Sequence, residues 1–570
     1  MSSQSDPQKS SPPLGERTCI ALLFIFFFIM ALPMFRTELM LGHDIPHSFY
    51  KEISLYQAWS SGDLLGRWIP DVAFAYGYPL FNFYAPLFSW MAVAGAFILR
   101  NYVLGFNAAF ALSLFLSGLT MYYFAKKFWG PAGALVSAIA YLYAPYHILD
   151  IYVRGACAEA LSFVFFPLVL LMVYRIHSED KPQNLVGGSL AVAGLCLSHN
   201  FMGVLGLALA FSFAVFLHFT EEQKRSGKLL QNLLIFTWGV ALATFFWLPA
   251  LAEKQFIQLP RIVAGSNDFK KHFIPFLKLF FSPWGFLAKD MSFEIGPAHL
   301  LLATTTLFLA IKNASRRPAL WRHTIFWTLV TVLSVFFMLH VSTFAWRFLR
   351  LNNFMNLPWR FLAFVTCAVS FLAGGTLFFC PERLKKACLV IAITSLVALN
   401  IGHCHPIGFK KISIPDRREF LRRENPGDSM ENLPMWVPNV RRLFEPVPEK
   451  LSLLMGRAAI LSHKTRNDLE HVYRLQGATP ALLFFHTFYF PGWKIYIDRE
   501  ETDFRIHLKT GAFIFMAPQG EHEVVVRFED TPVRIIANSI SVLSVVILAI
   551  FVLFLRRRRE SPRPDPSLKR

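Results

Sequence analysis

The chain has 570 residues, 54% hydrophobic and only 16% charged, with 60 Phe and a formal net charge of +19. A soluble protein of this length carries roughly a quarter charged residues. Apolar runs of about 18–22 residues recur along most of the sequence, each long enough to cross a hydrocarbon core of ~30 Å as a helix. A soluble globular enzyme is excluded, and a polytopic α-helical membrane protein is expected. The positive balance does not point to nucleic acid. Basic residues fall in short loops and in the tail "LRRRRE", as the positive-inside rule expects, and no basic surface interleaved with aromatics occurs outside the apolar runs.

In chain order, a polar tail (1–17) precedes the first apolar run, 18–35. This run is long for a signal peptide and no small-residue cleavage site follows it, so it reads as a retained span. Further runs occupy 80–99, 103–124, 131–148, 159–175, 184–198, 200–219, 229–248, 297–312, 323–340, 359–379, 385–402 and 533–555. If all thirteen crossed, Arg17 and the Arg556–Arg559 cluster would face opposite sides, against the positive-inside rule. The run 80–99 has Asn82 and Pro86 in its first half and a dense aromatic belt. It is expected to lie on or dip into the outer interface, leaving about twelve crossings and one long outer loop, 36–102.

Within that loop, "FYKEISLYQAWSSGDLLGRW" (49–68) sets Ile53, Tyr56, Leu64 and Trp68 among charges, the pattern of a helix lying in the interface. The parity then places Lys126/Lys127, Lys224/Arg225/Lys228, Arg316/Arg317/Arg322 and Arg383/Lys385/Lys386 in the cytoplasm. Residues 18–402 form the transmembrane domain. Residues 403–531 are polar, Pro-rich at first and then strand-like. "FFHTFYF" to "KIYID" through "PGW", and "GAFIFMAP" to "EVVVRFE" through "QGEH", read as hairpins, with Val524, Val526 and Phe528 sharing a face. A small outer β-rich domain is expected there, then a last helix (532–556) and a basic cytoplasmic tail (557–570).

Seven Cys are present. Cys19, Cys157, Cys196, Cys367, Cys380 and Cys388 lie in or beside apolar runs, and only Cys404 belongs to the large polar segment, so no disulfide framework is expected. The "HCH" at 403–405 lacks a fourth ligand at zinc spacing.

The residues with chemistry gather on the outer side. His43, Asp44 and His47 stand within one helical turn, spaced to share a face. An interfacial setting raises a carboxylate's pKa and suits it to act as a general base. A base at the outer interface fits a lipid-linked substrate. Sugar transfer from a polyprenyl phosphate needs a carboxylate to deprotonate the acceptor hydroxyl, and cations or a metal to stabilise the leaving phosphate. Asp44 is the candidate base. Arg154, Arg347 and Arg360 are candidates for the phosphate, since guanidinium matches its geometry. Asp150 and Glu159 bracket Arg154; holding it, binding a metal and binding sugar hydroxyls are three roles open to them. His199, with Asn200, interrupts two apolar runs at an outer turn and is a candidate substrate contact, as are His43 and His47.

The segment "GHDIPHSFYKEISLYQAWSSGDLLGRWIPDVAFAYGYPLFNFYAPL", with "YVRGACAEALSFVFFPLVLL", "LSHNFMGVL", "FFWLPALAEK" and "NLPWRFL", resembles bacterial membrane proteins labelled 6-pyruvoyl-tetrahydropterin synthase-related. The ending "YFPGWKIYID…GAFIFMAPQGEHEVVVRFEDTPVR" is similar to that group and to YfhO-like proteins. The label does not imply pterin chemistry, because no three-His zinc site is offered. The group is similar to the GT-C superfamily of polytopic glycosyltransferases. That resemblance implies an acid in the first outer loop, here Asp44, with Asp150 or Glu159 as a second acidic group. Some members carry an acid pair as "DxD" or "ExD". This chain has "HD" alone, so no cofactor is required by the residues and a divalent metal stays open. The reading is an integral-membrane glycosyltransferase on the outer face of a bacterial inner membrane. It would take a polyprenyl-phosphate sugar as donor and an envelope glycan, lipid or protein as acceptor. The alternatives are a transporter or flippase of lipid-linked intermediates, and a non-catalytic envelope-assembly protein.

Overall fold

The computed structural model describes residues 14–220, 226–258, 268–287, 290–353, 355–412, 432–438, 449–467 and 469–560. The ends of both expected tails and most of the Pro-rich stretch lie outside the described residues. Among the described residues, eight helices are long and apolar enough to cross a membrane, or nine if one bent pair counts as a span. Shorter apolar helices, Gln183–Ser198 and Pro297–Lys312, fall where two further crossings are expected. Tyr102–Leu142 is two helices meeting at Gly130 (φ 69°, ψ 178°), just before Pro131. The helix Leu87–Leu99 has 13 residues, about 20 Å at 1.5 Å per residue, too short to cross a ~30 Å core unaided.

Helices pack through small residues. A Cβ on Gly374 would lie 2.3 Å from the Gly133 carbonyl oxygen, so these two helices meet at backbone contact, the close approach that drives association in lipid. Beside the crossing, Trp129 Nε1 and Ser137 Oγ donate to the Phe371 carbonyl at 2.8 and 3.1 Å.

Ion pairs sort the two ends of the bundle. Lys126 pairs with Glu16 (2.6 Å), Lys127 with Glu179 (2.8 Å), and Lys228 with Asp180. Two basic segments thereby meet at one end, the end that the positive-inside rule would assign to the cytoplasm. The opposite end carries the first loop, the turn after Leu142, the His199 turn and the β-strands.

One expected span is broken. In place of a straight run over 229–248, Gly227–Leu242 and Thr244–Ala252 meet at 71°. Pro249 has no N–H for the Phe245 carbonyl, and that carbonyl accepts instead from Arg67 at 2.9 Å. The Phe245 N–H donates to Ser541 Oγ on the last helix at 2.8 Å. Side chains thus satisfy the backbone groups freed at the bend.

The first loop also departs from expectation. Its helix is Ile45–Ser60 and stops at Gly62 (φ 93°), so Leu64 and Trp68 lie beyond it. Trp68 is buried against Phe490, Trp493 and Phe528 and does not face lipid. These three residues belong to a two-sheet unit. One sheet has the order 451–455, 481–488, 512–517, 505–506; the other has 458–466, 470–477, 520–528, 493–497, 500–501. Val524 and Val526 are buried between them, as the alternation predicts. Neither expected hairpin forms. The "PGW" and "QGEH" turns each carry the chain from one sheet to the other. Alternation fixes a strand's inner face but not its partner.

A buried polar network clamps this unit to the bundle. Arg534 donates to Glu253 at 2.9 and 3.1 Å and to the Pro491 carbonyl at 2.9 Å. Asn82 donates to the same Glu253 oxygen at 2.7 Å, and Arg67 reaches Asn82 and Asn538. The β-unit therefore sits on the second half of the first outer loop, around Arg67, Trp68 and Asn82.

Candidate functional site

Asp44 caps the helix Ile45–Ser60 by position only, because its carboxylate makes no capping hydrogen bond. The side chain is exposed. Its backbone is fixed from the neighbouring turn: His43 N–H donates to the Val153 carbonyl (2.9 Å) and Asp44 N–H to the Arg154 carbonyl (2.7 Å). Two glycines make that docking possible. A Cβ on Gly42 would lie 2.9 Å from the Val153 oxygen, and one on Gly155 would lie 2.1 Å from Ile45 Cγ1. Gly155 also has φ +65°, a left-handed conformation that favours glycine.

Arg154 ends a π-helical turn, Leu149–Arg154, a geometry frequent at functional positions. Its guanidinium is buried between Asp150 and Glu159, with Glu159 at 2.9 Å, and lies over the Trp359 ring, 4.5 Å from the centroid. Tyr146 donates to the other Glu159 oxygen at 2.6 Å. Arg360 closes the group, with Nε 3.3 Å from Glu159. Two carboxylates and two guanidiniums balance. That balance makes their burial tolerable, while loss of one member leaves an uncompensated charge. Of the three roles open to Asp150 and Glu159, holding Arg154 is the one the contacts display. Arg360 keeps a partly exposed side chain whose guanidinium faces Phe201, 5.6 Å from the ring centroid.

The histidines do not form a shared face with Asp44. His43 precedes the helix and its Nε2 lies 2.6 Å from the Phe286 carbonyl. His47 is half-buried with Nδ1 unpartnered. His199 caps the next helix, its Nδ1 accepting the Phe201 and Met202 N–H groups at 3.0 and 3.3 Å. Burial, aided by nearby Arg360, pushes its pKa down to about 3, so the ring stays neutral as a cap acceptor must. Arg347 is exposed on Thr343–Phe348, away from the balanced group.

Glu52, which follows the His43/Asp44/His47 group in the chain, has no role assigned by the sequence. It falls on the Ile45–Phe49–Ile53 face of its helix and is buried there. Ser89 Oγ donates to Oε1 at 2.8 Å, and Oε2 has no partner. Burial raises its pKa to about 8, despite opposing contributions from Ser89 and Lys51. An acid on an otherwise apolar helical stripe was the available signal. Among the described residues, no three His, Cys, Asp or Glu side chains gather as a metal site. In the "HCH" stretch, His403 stacks on Trp284 (4.2 Å between centroids), His405 contacts the Phe286 ring, and Cys404 is buried.

The family model for the 6-pyruvoyl-tetrahydropterin synthase related domain, described as a membrane protein, matches residues 81–406, more than half of the chain. The chain belongs to this family. An uncharacterized protein of Lactococcus lactis subsp. cremoris is 21% identical over 269 residues, 44% of this chain and 42% of that protein. Three solved structures are similar at low identity. Arabinofuranosyltransferase AftD from Mycobacteria has 14% identity and a TM-score of 0.44, over 70% of this chain and 28% of its own. ArnT from Cupriavidus metallidurans bound to undecaprenyl phosphate has 18% and 0.41, over 67% and 63%. The Archaeoglobus fulgidus oligosaccharyltransferase has 12% and 0.42, over 76% and 59%. The chain spans less than two thirds of the length of each of these relatives.

Proposed function

We propose that this family member is a GT-C-like integral-membrane glycosyltransferase of a bacterial inner membrane. On the outer face, it moves a sugar from a polyprenyl-phosphate donor to an envelope glycan, lipid or protein. The supporting observation is the exposed, uncapped carboxylate of Asp44, held by backbone hydrogen bonds on the turn that carries Arg154, at the end of the bundle opposite the basic loops. In this reading Asp44 takes the acceptor hydroxyl proton as that oxygen attacks the sugar's anomeric carbon, and the lipid phosphate leaves. Arg360, with one carboxylate partner, stabilises the departing phosphate. Arg154, gripped by Asp150 and Glu159, positions both the Asp44 segment and Glu159. His43 and His47 border the base, and the β-rich part of 403–531 helps bind the acceptor.

A second reading, a transporter of lipid-linked intermediates, has the 71° break in Gly227–Ala252 in its favour, since broken helices mark many transport sites. The two part in one experiment. Full-length protein and Asp44→Asn in nanodiscs are given radiolabelled polyprenyl-phosphate sugars. Transfer by the wild type, falling at least about 100-fold in the variant, is expected for a general base. Equal rates would remove Asp44 from the mechanism, and ion-driven uptake without transfer would favour the transporter.

A further inference from the structure

Two outer segments lie apart from the balanced charge group and are unused by the mechanism above. Residues 268–287 follow the broken span, and residues 340–353 follow the helix Pro318–Met338. They pack on each other through buried Phe269 and Trp346, whose rings stack at 5.3 Å. The Ile274 N–H donates to the Met338 carbonyl at 3.0 Å, which ties the first segment to the outer end of a membrane helix. What the pair turns outward is unusual for a loop. Phe276, Leu277, Phe281, Phe344 and Phe348 are all more than half exposed, Phe281 at 81% and Phe348 at 85%. The same two segments hold five cations (Lys270, Lys271, Lys278, Arg347 and Arg350) against one acid, Asp268. None of the five is in an ion pair among the described residues.

Exposed aromatics beside unpaired cations, at the outer end of membrane helices, match the layered chemistry of a lipid interface. Rings enter the hydrocarbon boundary and cations meet phosphate. Buried rings also pack the two segments against the turn that carries Arg360. Trp346 contacts Phe361 (6.1 Å), and Phe361 stacks on Phe337 (5.1 Å). Phe361 and Arg360 belong to one short turn, Pro358–Phe361.

We propose that the 268–287/340–353 surface captures the phosphate of a polyprenyl-phosphate lipid at the outer leaflet, beside the turn that carries Arg360. The proposal rests on the transferase reading for its donor. It commits to the lipid-linked phosphate over bulk anionic phospholipid, because the two segments pack against the turn of the partly exposed Arg360 and the Phe286 carbonyl meets His43, the neighbour of Asp44 in the chain. Arg347, which the sequence nominated for phosphate, takes part here in capture and not in chemistry.

The test uses the full chain in zwitterionic nanodiscs with a photoactivatable polyprenyl phosphate, and labelled peptides are mapped. Expected labelling lies within 268–287 and 340–353 and is displaced by unlabelled polyprenyl phosphate but not by equal phosphatidylglycerol. Joint replacement of Lys270, Lys271, Arg347 and Arg350 by Ala lowers it at least about tenfold, single Ala variants lower it about fivefold each, and Arg347→Lys with Arg350→Lys retains it. The single variants keep the test decisive if the joint one fails to fold. Labelling elsewhere, labelling unchanged by these substitutions, or equal displacement by phosphatidylglycerol would overturn the proposal. So would capture of a protein partner by a photoreactive side chain at position 348 in cells. The expected labelling alongside undiminished transfer by Asp44→Asn would retire the role of Asp44 and leave the capture surface standing.

Discussion

Replacing Glu52 by Gln isolates the energetics of the first loop. Glu52 is fully enclosed between its own helix and Ser89, with one oxygen unpartnered, and its pKa is raised by burial from 4.5 to about 8. The native state therefore holds the proton across a pH range in which the unfolded chain has released it. Below pH 4.5 both states are protonated and the contribution is fully present. As pH rises toward 8, the unfolded state gains by ionising and native stability falls; above 8 the loss is complete. At about 1.4 kcal/mol for each pH unit separating the two ionisations, the loss reaches about 5 kcal/mol. Glutamine keeps an acceptor for Ser89 and cannot ionise. Thermal unfolding of both proteins in nanodiscs, from pH 5 to pH 9, is the assay. Wild type is expected to lose stability relative to Glu52→Gln as pH rises, so that the variant is the more stable at pH 9. Parallel pH profiles would refute the reasoning, since they would mean that Glu52 is solvated or paired in the native protein.

Two further outcomes follow from the charge group and its neighbour. Arg154→Met leaves Asp150 and Glu159 buried without their shared guanidinium. It should cost about 3–5 kcal/mol, read as a lower unfolding midpoint, and Asp150→Asn in the same chain should recover part of it. Gly155→Ala meets both a φ of +65° and Ile45 Cγ1 at 2.1 Å. About 2–4 kcal/mol of destabilisation is expected, along with altered accessibility of a cysteine placed at position 44, measured by thiol labelling.

The site was legible only in part, and the reason is the range over which each interaction acts. Arg154 stands four residues from Asp150 and five from Glu159, so their grouping could be read along the chain. Arg360 joins Glu159 from more than two hundred residues away, and Trp359 covers Arg154 from a similar distance. No local pattern carries those approaches. His43, Asp44 and His47 had helical spacing, but the helix starts at Ile45, so spacing alone overstated their common face. Trp68 looked interfacial because an amphipathic stretch shows that a side chain is to be buried and not what will bury it. Here the β-unit covers it.

By itself the sequence determined the membrane class, the apolar helices, the crowding of chemistry at one end, and the inner face of strand 520–528. Run length, charge distribution and alternation act within a few residues and decide these. Tertiary structure alone decided that strands before and after "PGW" join different sheets, and that a span bends between Leu242 and Thr244, with Ser541 taking the Phe245 N–H and Arg67 the Phe245 carbonyl. It also decided that Asp44 hangs from the Arg154 turn through two glycines. In each case a backbone group finds its partner across the fold, and the chain carries no periodicity that names the partner.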